Sequence, residues 1–99
     1  TSPEELLAAA HASCYSMALS LMLGEKDVTP ERIDTTATVT VSPDGGGFTI
    51  TTVHLDVHAK ISGVDAKVFE EAANMAKEGC PVSKLFQGAE ITLETHLNA

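Results

Sequence analysis

The stretch Ser2-Pro3-Glu4-Glu5-Leu6-Leu7-Ala8-Ala9-Ala10-His11-Ala12-Ser13-Cys14-Tyr15-Ser16-Met17-Ala18-Leu19-Ser20-Leu21-Met22-Leu23-Gly24 decides the fold. Ser2 can cap a helix, Pro3 suits its first turn, and Glu4 and Glu5 complement the positive helix end. Leu6 to Leu23 then continues the helix, and Gly24 is the expected stop. Alanine, leucine and methionine surround it on nearly every side, so it belongs inside a protein or an interface. His11, Ser13, Ser16 and Ser20 interrupt the apolar run, which reads as a buried helix and not as a membrane span.

Beyond Gly24 the period changes. Thr29-Pro30-Glu31-Arg32 suggests a short turn. Ala37, Val39 and Val41 then alternate with Thr36, Thr38 and Thr40, the pattern of a strand with one buried face. Pro43-Asp44-Gly45-Gly46-Gly47 reads as a hairpin loop. The return strand carries Phe48 and Ile50, then Val53, Leu55, Val57, Ala59 and Ile61. Its phase slips by one residue at Thr51-Thr52, which predicts a bulge. Asp65 is positioned to cap a second helix, Ala66 to Glu78, with Val68, Phe69, Ala72, Ala73 and Ala76 on one side and Gly79 at its end. Pro81 opens a short helix over Val82–Phe86, and Ile91, Leu93 and Leu97 mark a final strand. The expectation is a single α+β domain over residues 1–99, two helices packed on an antiparallel sheet with the Cys14 helix at the centre. So small a sheet leaves part of the first helix uncovered, to be completed by another chain, a missing segment or both.

Composition narrows the functional classes. The 99 residues are 43% hydrophobic, enough for one modest core, and the net charge is −8. Such a balance disfavours nucleic acid and anionic membranes as partners, both of which attract clustered Lys and Arg. With no secretory signal or lipidation motif visible, the cytoplasm is the expected compartment, where a cysteine pair is catalytic, redox-sensing or simply buried.

The two cysteines read differently. Cys14 lies on an apolar helical stripe with Leu7, Ala10, Met17, Ala18 and Leu21, the setting of an inert buried thiol unless a cation or donor is near. His11, three residues back, is one candidate donor, though a core histidine with its own partner fits the spacing equally well. Cys80 lies between a helix-ending glycine and a helix-starting proline. There it is either an N-cap favouring a thiolate or a buried turn residue. Lys77 and Lys84 flank it, either solvated or close enough to support a thiolate. The spacing is not C-x-x-C, so neither a thioredoxin-type nor a zinc-knuckle motif is present. His54, Asp56 and His58 alternate on the polar face of one strand, more commonly a solvated face than a metal site. The Gly45–Gly47 run has no P-loop lysine and is a turn.

Pro3 to Ser20, with its His11-Ala12-Ser13-Cys14 core, closely resembles the first active-site helix of the OsmC/Ohr family of organic hydroperoxide peroxidases. Ala76-Lys77-Glu78-Gly79-Cys80-Pro81-Val82-Ser83 resembles that family's second cysteine motif, and the wording of both is nearer the osmotically inducible OsmC branch. The resemblance runs the length of the chain. It implies a cysteine-based peroxidase that uses no metal, haem or flavin. Cys14 matches the peroxidatic cysteine, Cys80 the resolving one, and Glu4 the acid that orients an active-site arginine. It further implies an intertwined homodimer with sites at the subunit interface. Dihydrolipoamide of a lipoylated protein is the candidate reductant. The alternative is a non-catalytic binding module on the same fold.

One departure stands out. The family's arginine comes from an N-terminal β segment ahead of the helix, whereas the sequence here begins at Thr1 and its only arginine, Arg32, does not fall in the matching position. Glu4 raises a second point of geometry. Ten helical residues span about 15 Å, so Glu4 cannot touch Cys14 on one straight helix. Either the chain bends before Leu6 or Glu4 serves a partner's site.

Overall fold

The computed structural model describes residues 2–98. Their order is helix α1 (Pro3–Glu25), strands β1 (Arg32–Asp44) and β2 (Gly47–Lys60), helices α2 (Ala66–Gly79) and α3 (Pro81–Leu85), and strand β3 (Glu90–Asn98). The α+β class is as expected. Ser2 and Glu5 form a reciprocal capping box at the start of α1. Asp65 caps α2 through the Lys67 amide.

The hairpin follows the sequence closely. Gly45 and Gly46 both hold positive φ, 55° and 87°, as a two-residue turn matching the strand twist requires. Thr40 faces Thr52 but Val41 faces Ile50, so Thr51 is the extra residue of a bulge. That bulge resets the alternation, letting Val53, Leu55, Val57 and Ala59 all point into the core.

Three expectations need correction. The sheet is mixed, not antiparallel: β2 lies between an antiparallel β1 and a parallel β3. The α2–α3 crossover causes this, because it carries the chain back to the end where β2 began. Gly24 does not end α1, which runs one residue further and turns through Asp27 at φ 59°. Residues 29–31 form no helical turn but lead straight into β1. As expected for so small a sheet, α1 is only half-buried. His11, Tyr15, Leu19 and Leu23 form its buried stripe, while Leu6, Met17 and Leu21 are exposed. By length and hydropathy α1 also meets the requirement for crossing a bilayer, yet its buried stripe is taken up by the core with β2 and Phe69, Ala72, Ala73 and Ala76 of α2.

Candidate active site

The cysteines meet across the fold. Their sulfurs stand 2.8 Å apart, with the Cys80 thiol donating to Cys14, and both are free. Cys14 projects from the middle of α1. Cys80 is at once the C-cap of α2 and the N-cap residue of α3, and its side chain caps neither. The non-helical backbone there, φ −61° and ψ 127°, is what Pro81 imposes on the residue before it. That break turns the Cys80 side chain towards α1.

Two side-chain bonds hold the approach. The Tyr15 hydroxyl donates to the Ala73 carbonyl at 2.9 Å, tying α1 to α2. His11 Nε2 and Ser83 Oγ are 2.7 Å apart, tying α1 to α3, and the His11 ring meets Phe86 edge-on. Of the two readings of His11, the core histidine with its own partner is the observed one. Burial lowers its pKa from the ordinary 6.5. The unfolded chain therefore binds the proton more tightly, and stability falls as pH drops below 6.5 towards the folded-state value. His11→Gln should flatten that slope in urea melts at pH 7.5, 6.5 and 5.5.

The sulfurs differ in access. Cys14 lines an apolar cleft of about 1230 Å³, together with Met17, Ala18, Leu21, Met22 and Pro81. Cys80 is fully buried and lies behind it. The buried stripe of α1 runs through His11 and Tyr15, whereas the apolar stripe that carries Cys14, with Ala10, Met17, Ala18 and Leu21, faces the cleft. Burial raises the Cys14 pKa, and the Cys80 thiol against it raises it further, while the Val82 backbone N–H opposes both. Tyr15 is likewise held above its ordinary value by burial, Glu70 and Cys80.

No Lys or Arg lines the cleft among the described residues, and Glu25 is its only charge. Lys77 and Lys84 border a separate small cavity, and Arg32 pairs with Asp34 on the sheet. Glu4 lies in the first turn of an unbroken α1 and outside the cleft, so the alternative of a bend before Leu6 is removed. His54 does not join a cluster with Asp56 and His58. Its ring instead bonds Thr92 through Nδ1, at 2.6 Å, and approaches Glu94 through Nε2, at 3.6 Å.

A helix-borne thiol facing an apolar cleft, backed by a second thiol from a helix junction, defines an α+β dithiol protein. Comparison with known proteins makes this specific. Residues 1–96 match the model of the OsmC-like protein family, and the chain belongs to that family. It is 50% identical over 99 residues to Peroxiredoxin OsmC of Escherichia coli K12, covering 100% of this chain and 68% of that protein. It is 31% identical over 99 residues to the organic hydroperoxide resistance protein-like 1 of Staphylococcus epidermidis, covering 99% and 68%. Among solved structures, the organic hydroperoxide resistance protein OhrB of Bacillus subtilis superposes with a TM-score of 0.78 at 28% identity, covering 96% of this chain and 70% of that one. An OsmC-like protein from Mycoplasma pneumoniae shares the fold, with a TM-score of 0.86 at 20% identity over 98% of this chain and 72% of that one.

Proposed function

We propose that this chain is a cysteine-based peroxidase that reduces organic hydroperoxides to alcohols. The observation that carries the reading is the unequal placement of two touching sulfurs: Cys14 opens onto an apolar cleft, and Cys80 waits behind it. The relatives' names, peroxiredoxin and organic hydroperoxide resistance protein, support the same class of reaction.

In this mechanism the Cys14 thiolate attacks the outer peroxide oxygen, the O–O bond breaks, and the alkoxide leaves as alcohol after taking a proton. Cys14 is left as a sulfenic acid. The Cys80 sulfur attacks the Cys14 sulfur, water leaves, and a Cys14–Cys80 disulfide forms. An external dithiol, for which dihydrolipoamide of a lipoylated protein is the candidate, returns both thiols by exchange. The apolar cleft suits an alkyl or lipid peroxide better than hydrogen peroxide. The cycle needs no bound cofactor, and reduced thiols fit a cytoplasmic setting.

Activation asks for more than the cleft holds. Burial disfavours the Cys14 thiolate and no basic group lines the cleft among the described residues, so the mechanism draws its cation from beyond them. Glu4, too far along α1 to reach its own Cys14, is assigned to orient that cation in a partner subunit's site. Mixing Glu4→Ala chains with Cys14→Ser chains tests the sharing. A mixed dimer regains one site with both intact residues, so activity should return on mixing and should stay absent if each subunit uses its own Glu4.

The same lack of a cation favours the rival reading, a binding module with inert thiols. One titration separates them. Stoichiometric cumene hydroperoxide added to the reduced protein should consume both thiols per peroxide. Thiols that persist would leave the binding module standing.

A further inference from the structure

We propose that Asp56, His58 and His96, with Glu94 beside them, form a binding site for a zinc-type divalent cation on the outer face of the sheet, remote from the cysteines. Because Val53, Leu55, Val57 and Ala59 point into the core, the residues between them point outward. The parallel ladder sets Asp56 opposite Glu94 and His58 opposite His96. Four side chains with metal-ligating atoms therefore occupy two successive outward-facing rungs.

Their geometry converges. His96 Nε2 lies 3.0 Å from Asp56 Oδ1 and 2.8 Å from Glu94 Oε2. His58 Nε2 lies 3.6 Å from that same Asp56 oxygen. The two imidazoles stack with centroids 4.2 Å apart and planes inclined by 10°, so one exposed ring must swing about its Cβ–Cγ bond for both in-plane Nε2 lone pairs to meet one ion. One ligand atom each from Asp56, His58 and His96 falls within 4.8 Å of the others. Zinc–nitrogen and zinc–oxygen bonds near 2 Å put tetrahedral ligand atoms about 3.3 Å apart, close to the spacings of both histidines to Asp56.

Ion pairing alone accounts poorly for this arrangement. A single Nε2–H aims well at only one carboxylate, yet both Asp56 and Glu94 converge on His96 Nε2. Protonating both stacked rings would set like charges face to face. Asp56 Oδ1 is out of solvent and, although His96 Nε2 stands 3.0 Å away, no N–H is aimed at it, which leaves an acceptor of the kind that calls for a ligand. A divalent cation resolves all three points. Two neutral imidazoles offer Nε2 lone pairs, two carboxylates cancel the double charge, and the chain's net charge of −8 favours the cation's approach. Mixed imidazole and carboxylate ligands suit zinc over magnesium or calcium. The site would clamp β3 to β2.

The test is zinc chloride titrated into a Cys14→Ser/Cys80→Ser chain, which removes binding by thiols. Calorimetry should find one saturable zinc per chain. His58→Ala and His96→Ala should each weaken binding by more than about 100-fold, beyond the 10–100-fold that losing a mere supporting partner costs. His54→Ala, which removes only a ring 3.6 Å from Glu94, should weaken binding by no more than the roughly 10–100-fold of a supporting partner, and a loss equal to that of His58→Ala would overturn the assigned ligand set. Because buried Cys80 carries a risk of misfolding when replaced, histidine-ring NMR on the unsubstituted chain reads the site independently. Zinc should perturb the His58 and His96 rings and spare His11. Zinc binding that survives both alanine variants, or His58 and His96 rings that do not move, overturns the proposal.

Discussion

Replacing Cys14 with serine is expected to abolish peroxide turnover, lowering the rate with cumene hydroperoxide by at least about 1,000-fold. The serine hydroxyl is close to the thiol in size, so the cleft and the fold should survive, as far-UV circular dichroism would verify. What disappears is a nucleophile that ionises within the working pH range. Cys80 cannot substitute, because it is fully buried and does not line the cleft. The reciprocal variant separates the two roles. In Cys80→Ser the first step stays intact and the second is blocked, so one equivalent of peroxide should leave a Cys14 sulfenic acid that dimedone traps. If Cys80→Ser loses the first step and Cys14→Ser keeps it, the roles are reversed.

The largest stability effect is expected at Leu19. It is fully buried on the α1 stripe, among the residues that pack on the sheet and α2. Truncation to alanine should cost about 2–5 kcal/mol, from lost transfer energy and the cavity left behind. For a chain of this size that corresponds to a fall of roughly 10 °C or more in Tm. Leu21, two positions away, is 65% exposed, and alanine there should cost the isolated chain less than about 0.5 kcal/mol. The contrast is diagnostic of assembly. If Leu21→Ala is as damaging as Leu19→Ala, the outer face of α1 is buried against another surface, as an intertwined dimer requires. Concentration-dependent melting would corroborate that outcome.

These contrasts follow the line between what the sequence reveals and what it conceals. The hairpin was legible because its signals are local: alternation, paired glycines at a tight turn, and a phase slip at Thr51. The caps at Ser2 and Asp65 were legible for the same reason. The direction of β3 was not, since it depends on where a two-helix crossover delivers the chain. Nor was the buried face of α1, because a helix that is apolar all round presents no preferred stripe, so periodicity alone cannot say whether Cys14 faces the core or a cleft. The meeting of Cys14 and Cys80 across the chain followed only from family resemblance, for no spacing rule links a mid-helix thiol to one at a helix junction. That His96 neighbours His58 is not legible in the sequence, because cross-strand pairs appear only once register is known.

The mixed sheet also bears on the order of folding. β1 and β2 are joined by a two-glycine turn, so they can zip together within about 1–10 µs, the time of an isolated hairpin. β3 has no local nucleus. It must wait for α2 and α3 to close the crossover, a step slowed by the entropy of a long loop. The last strand to dock is thereby the first to open, and native-state hydrogen exchange should find the β3 amides released at lower free energy than those of β2. Cys80 belongs to the same late-arriving crossover, so a nascent chain is expected to pass through an interval with Cys14 formed on its helix and Cys80 not yet beside it.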